Sequence, residues 1–142
     1  MNRLLMGLLM FAGSGVVLAE TGEFWEITQK MEMPGMPMAM PASKFKVCLA
    51  PGAERDPRQS MSDPHSKCEM TDIRTQGNTV TWKVRCNQDG EMLTGTGEVT
   101  SSPGAYQGVM RLKGKSGGMD IDMNQNFRGK KIGGSCTLPK SR

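Results

Sequence analysis

Five thioethers fall within ten residues, at Met31, Met33, Met36, Met38 and Met40, in a chain of 142 residues holding 14 methionines, two tryptophans and one tyrosine. Thioether sulfur is a soft ligand that selects Cu(I), which makes this stretch a candidate methionine-only copper site. Copper is the one cofactor the sequence suggests. Residues two apart on a strand stand about 6.6 Å apart, so three sulfurs reach one ion only if the chain folds back, as Pro34-Gly35 and Pro37 allow. The competing reading extends a buried face through Met31 and Met33 and makes Met36 to Met40 an adaptable apolar flap, since methionine fills gaps and forms soft contact surfaces. Reversible oxidation to the sulfoxide is a third use.

Other chemistry-bearing residues are less well placed. Met119, Ile121 and Met123 alternate with Asp120 and Asp122, so a strand sends sulfurs and carboxylates to opposite faces and no ion takes both. That pattern is a core stripe with a wet acidic edge. His65, the sole histidine, lies beside Asp63 and Pro64 without a strand-turn-helix elbow to present a nucleophile, and reads as a solvated loop residue. Gly95-x-Gly97 and Gly114 to Gly118 precede no amphipathic helix, so they are bends and turns rather than phosphate loops. No catalytic constellation emerges, and the chain is read as not an enzyme. Lys44, Lys46, Lys83, Arg85, Arg111 and Lys113 fall on the wet faces of three strands. Trp82 faces away from Lys83 and Arg85, so the stacking platform of a nucleic-acid binder is missing and anionic envelope polymers are the alternative contact.

The amino terminus carries Arg3, an apolar run from Leu4 to Ala12 and the small-residue pattern Val17-Leu18-Ala19, which predicts a signal peptide over 1–19, cut before Glu20, and a periplasmic product. The run is too short for a transmembrane helix, which needs about 20 residues. Residues 20–142 are expected to form one monomeric domain. With 37% hydrophobic and only 5% aromatic residues, its core is thin and needs both methionine filling and covalent staples. Cys48, Cys68, Cys86 and Cys136 are therefore read as two disulfides; the absence of a C-x-x-C pair argues against zinc.

Positioning all these residues falls to strands, because apolar residues recur with period two nearly throughout. Trp25 to Met33 alternates, then Phe45, Val47 and Leu49; Ile73 and then Val80 to Cys86 flank the hairpin signal Gly77-Asn78. Glu91 to Thr100 is a strand with a bulge or bend near Gly95 and Gly97, followed by Tyr106 to Lys113, Met119 towards Phe127, and a short strand from Ile132 to Cys136. Seven or eight antiparallel strands make an all-β up-and-down meander, barrel-like or strongly curved. A Met/Pro-rich segment spans 31–41 and a long loop spans 50–67. Trp82 is expected to be buried among Ile73, Val84 and Trp25. If Gln76 faces Thr79, unbroken pairing places Glu69 opposite Cys86 and turns Cys68 away, so a Cys68–Cys86 bridge needs a register slip. Cys48–Cys68, closing the long loop, and Cys86–Cys136 are the pairs this register favours.

Gly22-Glu23-Phe24-Trp25-Glu26-Ile27-Thr28, Met31-Glu32-Met33-Pro34-Gly35-Met36-Pro37, Val47-Cys48-Leu49, Trp82-Lys83-Val84-Arg85-Cys86, Gly95-Thr96-Gly97-Glu98 and Tyr106-Gln107-Gly108 together resemble a family of small exported Gram-negative proteins catalogued as domain of unknown function 3617. The resemblance implies export and one compact domain and transfers no catalytic residue. The residues themselves suit a non-enzymatic binding module for an apolar ligand or an envelope protein partner; the alternative is a methionine-rich Cu(I) chaperone or sink.

Overall fold

The computed structural model describes residues 19–35, 40–60 and 67–138. Seven antiparallel strands form one sheet: β1 (Thr21–Glu32), β2 (Ser43–Leu49), β3 (Cys68–Gln76), β4 (Thr79–Gln88), β5 (Glu91–Ser102), β6 (Ala105–Ser116) and β7 (Met119–Thr137). The order is β2-β1-β7-β6-β5-β4-β3. β3 to β7 are the expected meander, joined by tight turns whose chemistry is local. Asp89-Gly90 and Gly117-Gly118 all take positive φ, and Gly77 opens the β3–β4 turn at 59°, the conformations of primed hairpin turns. β1 then pairs with β7 along nearly its whole length. The edges of the sheet are consequently β2 and β3, the two strands flanking the long connection.

Side chains from β2 and β4, six strands apart inclusive in the sheet order, line one cavity. In a flat sheet at about 4.8 Å per strand they would stand roughly 24 Å apart, so the sheet is strongly curved. Glycine makes room on its inner face. Trp82 pairs with Gly97, Tyr106 with Gly129 and Phe127 with Gly108 across neighbouring strands, and a Cβ on any of these glycines would run into the opposite ring. The rings thus lie along the sheet over positions that have no side chain. The β4–β5 and β5–β6 ladders pass Gly95 and Gly97 without a register shift, so of the bulge or bend expected there no bulge forms, and the glycines make room for packing. The core gathers Val80, Trp82, Val84, Cys86, Leu93, Val99 and Leu112, with Met70, Met110 and Met123 packed against it. Trp25, expected beside Trp82, stacks instead on Tyr106 at 5.5 Å between centroids.

Two irregularities correct the sequence reading. Between Thr71 and Arg74 the β3–β4 register slips: Asp72 and Ile73 together oppose Trp82, a bulge in which Asp72 takes φ 51°. Asp tolerates this left-handed region better than most residues. The slip turns Ile73 outward, 39% exposed, and brings Cys68 directly opposite Cys86. The disulfides are therefore Cys68–Cys86 and Cys48–Cys136, which overturns the expected Cys48–Cys68 and Cys86–Cys136. The second slip falls between Glu23 and Trp25, where Phe24 faces Ile132 and the positive-φ pair Gly133-Gly134. It merges the expected short strand at Ile132–Cys136 into β7. Beside it, the Cys48–Cys136 bridge links β2 to β7 past β1. A Cβ on Gly22 would lie 2.8 Å from Cys48 Sγ, so glycine is required where the bridge crosses the strand.

Candidate functional site

Alternation along each strand assembles an inner face, and that face bounds a cavity of about 330 Å³. β1 supplies Ile27 and Gln29, β2 Phe45, Val47 and Leu49, β4 Trp82, β5 Val99, β6 Tyr106 and Met110, and β7 Gln125 and Phe127. Across them lies the first part of the expected long loop 50–67. Ala53–Arg55 forms a 3₁₀ turn entered through Gly52 at φ 84°, followed by the one-turn helix α1, Pro57–Ser60. Ala53, Glu54, Asp56, Pro57 and Gln59 close that side of the cavity. The signal for this turn was present in Asp56-Pro57, an N-cap residue followed by proline in the first helical position. Asp56 Oδ1 accepts the Arg58 backbone N–H at 3.0 Å and Arg58 Nε at 2.9 Å; the bond from the Arg58 side chain holds the Asp56 carboxyl below the usual carboxylate range. Pro57 is buried.

Few polar groups enter this apolar space. Gln125 Nε2 donates to Gln29 Oε1 at 3.0 Å. Tyr106 is pushed up to about 12, first by burial and then by the nearby Glu54 carboxylate, which keeps the phenol neutral across the physiological range. Trp82 contributes only its ring to the wall: it is 4% exposed, and its indole N–H, sealed from solvent, has no hydrogen-bond partner among the described residues, an uncommon and costly condition for a buried donor. Walls that are mostly apolar, with a few polar groups converging inside, are the usual make-up of a small-molecule site.

The outer face is wet. An open groove of about 400 Å³ crosses it, with Asp72, Arg74, Lys83, Glu98 and Arg111 among its lining. The six basic residues singled out above do not form a uniform patch: Lys44 meets Glu26 at 3.6 Å, Lys83 meets Asp72 at 2.8 Å and Lys113 meets Asp122 at 3.3 Å. Exposed pairs of this kind contribute little to stability.

Of the candidate thioethers, Met31 is half-buried one residue before the end of β1, Met33 follows the strand, and Met40 is 40% exposed before β2. Pro34-Gly35 is a turn, with Gly35 at φ 96°. Met36 and Met38 lie outside the described residues, as do His65, Asp63 and residues 1–18 of the segment expected to be a signal peptide. Ile121 and Met123 pack against the core as the stripe predicts, whereas Met119, in the β6–β7 turn region, is 64% exposed. Among the described residues no three His, Cys, Asp or Glu side chains come together to hold a metal ion, and no helix is long and apolar enough to cross a membrane. What the sequence missed is the cavity itself. Its lining residues were legible as one face of each strand, but nothing local said that the strands would curl around a common space.

No curated protein and no solved structure matches this chain. Over residues 20–136 it matches the family described as "Protein of unknown function (DUF3617)". That span runs from just before β1 to Cys136, the partner of Cys48, and so takes in all four cysteines, both slips and every aromatic–glycine pair; the chain belongs to the DUF3617 family.

Proposed function

We propose that this protein is a non-enzymatic, exported binding module that holds a small apolar molecule between the inner face of its sheet and the segment 50–60. The observation that carries the reading is the apolar cavity of about 330 Å³ with its cover of Ala53 to Gln59. At about 30 Å³ per water-sized group it accommodates roughly ten such groups, the scale of a short acyl chain or a small ring system. Export to the periplasm, with cleavage before Glu20, is part of the same proposal; cell fractionation and amino-terminal sequencing of the recovered protein test it, and a product beginning at Met1 in the cytoplasm refutes it.

Binding is tested with the neutral dye N-phenyl-1-naphthylamine, whose fluorescence rises in apolar surroundings. The parent is expected to bind it saturably with one site. Ala53→Phe extends a ring from the cover into the cavity without altering the sheet, and is expected to weaken binding at least about tenfold while the melting temperature stays within a few degrees. Equal binding by the variant removes the cavity as the site. The Cu(I) alternative at Met31, Met33, Met36, Met38 and Met40 has its own test. Replacing Met36, Met38 and Met40 together with Leu keeps the bulk and loses the sulfur. Dye binding is expected to persist in that variant; tight stoichiometric Cu(I) binding by the parent, abolished in the variant, would reverse the ranking.

A further inference from the structure

The charges around the cavity name a ligand class, on the footing of the binding role just proposed. Among the described residues no Lys, Arg or His side chain lines the space, and the two charged groups that do, Glu54 and Asp56, are both carboxylates on the covering segment. Asp56 is engaged by Arg58 at 2.9 Å. Glu54 is the more enclosed, its side chain 16% exposed, and Arg55 Nε stands 3.8 Å away, beyond hydrogen-bonding distance. A ligand carboxylate drawn out of water here would meet two carboxylates whose arginine partners, Arg55 and Arg58, are not in the lining, an arrangement a site of low polarity opposes. A neutral donor, by contrast, is present: Tyr106 lines the space and carries an uncharged hydroxyl. A ligand oxygen that accepts from it gains a hydrogen bond without meeting charge.

We propose that the cavity selects an uncharged, largely apolar molecule bearing a hydrogen-bond-accepting oxygen, such as a ketone, ester or alcohol, and rejects the chain-matched carboxylate. Specificity of this kind combines an attractive element, the Tyr106 hydroxyl, with a repulsive one, the Glu54 and Asp56 carboxylates.

The test is competition at neutral pH between N-phenyl-1-naphthylamine and either 2-decanone or decanoate on the full exported chain. The ketone is expected to displace the dye at a concentration at least about tenfold below that needed for decanoate. Glu54→Gln combined with Asp56→Asn is expected to bring the two within about threefold by removing the repulsion. Tyr106→Phe, which keeps the ring, is expected to weaken 2-decanone by about three- to tenfold relative to the dye, the loss of one hydrogen bond. If that variant does not fold, the double carboxamide variant, confined to the covering segment, decides alone. Decanoate competing as well as the ketone on the parent, or an unchanged ratio in the double variant, overturns the selectivity and leaves the cavity as a binding site. If the parent binds neither the dye nor the ketone, the binding role itself fails and the selectivity with it.

Discussion

Single glycines set how closely this sheet can wrap. Gly97 leaves the space that the Trp82 ring fills, and a Cβ there would collide with Cε2 and Cζ2. Gly97→Ala is accordingly expected to cost at least about 2 kcal/mol in urea-induced unfolding, because a core near its packing limit answers an added methyl with off-rotamer side chains or a shifted strand. A change under 0.5 kcal/mol would mean that the ring does not rest on that glycine. Tyr106 is the only tyrosine, so its ionisation can be followed directly by ultraviolet difference absorbance. Burial raises it to about 12 from the ordinary 10.0. Its phenolate signal is expected to appear near pH 12 in the folded protein and near pH 10 in denaturant. The raised value means that the folded state keeps its proton longer than the unfolded one, so the stability associated with the neutral phenol is complete below pH 10 and is lost as pH climbs towards 12.

At the scale of elements, the bulge at Asp72–Ile73 decides the covalent framework. By shifting β3 one residue against β4 it seats Cys68 opposite Cys86, and the remaining pair, Cys48 and Cys136, joins β2 to β7. Non-reducing peptide mapping is expected to recover those two bridges and no Cys48–Cys68 peptide. The bridges close loops of very different size, with sequence separations of 88 for Cys48–Cys136 and 18 for Cys68–Cys86. On chain entropy alone these correspond to about 4.6 and about 3.2 kcal/mol. The Cys48→Ala/Cys136→Ala variant is therefore expected to unfold more easily than Cys68→Ala/Cys86→Ala by about 1.4 kcal/mol. The reverse order would show that native-state interactions at the β3 edge outweigh loop closure. The connection 50–67 is tied at neither end to the other, and its described part folds across the inner face as a 3₁₀ turn and α1.

For the whole molecule, the relevant feature is where the run of strands stays open. An up-and-down barrel closes its first strand on its last; here β1 and β7 do pair, and the open edges are β2 and β3, the strands on either side of the covering segment. A cavity roofed by one short segment is the sort of place where a ligand stabilises the folded state by binding it and not the unfolded chain. Saturating N-phenyl-1-naphthylamine, at about 100 times its dissociation constant, is expected to raise stability by about 2.7 kcal/mol in the parent and by much less in Ala53→Phe. A matching gain in both would place the dye somewhere other than beneath the cover.

The strands themselves were readable because their signal is local: Trp82, Val84 and Cys86 must share a face whatever the rest of the chain does, and Gly77-Asn78, Asp89-Gly90 and Pro103-Gly104 turn the chain by their own backbone preferences. All-β class, antiparallel pairing and the assignment of wet and buried faces follow from that. The inner-face residues of the cavity were likewise visible as alternate positions, as Ile27, Phe45 and Tyr106 illustrate. Disulfide pairing was not, since one inserted residue at Asp72–Ile73 inverts every face beyond it, and whether a bulge forms depends on what the opposite strand presents. Nor was the neighbour of β1, because the sequence separation between β1 and β7 carries no local mark of their contact. The space enclosed by the sheet and its covering turn exists only once distant strands have found their register, and there the tertiary structure alone decided.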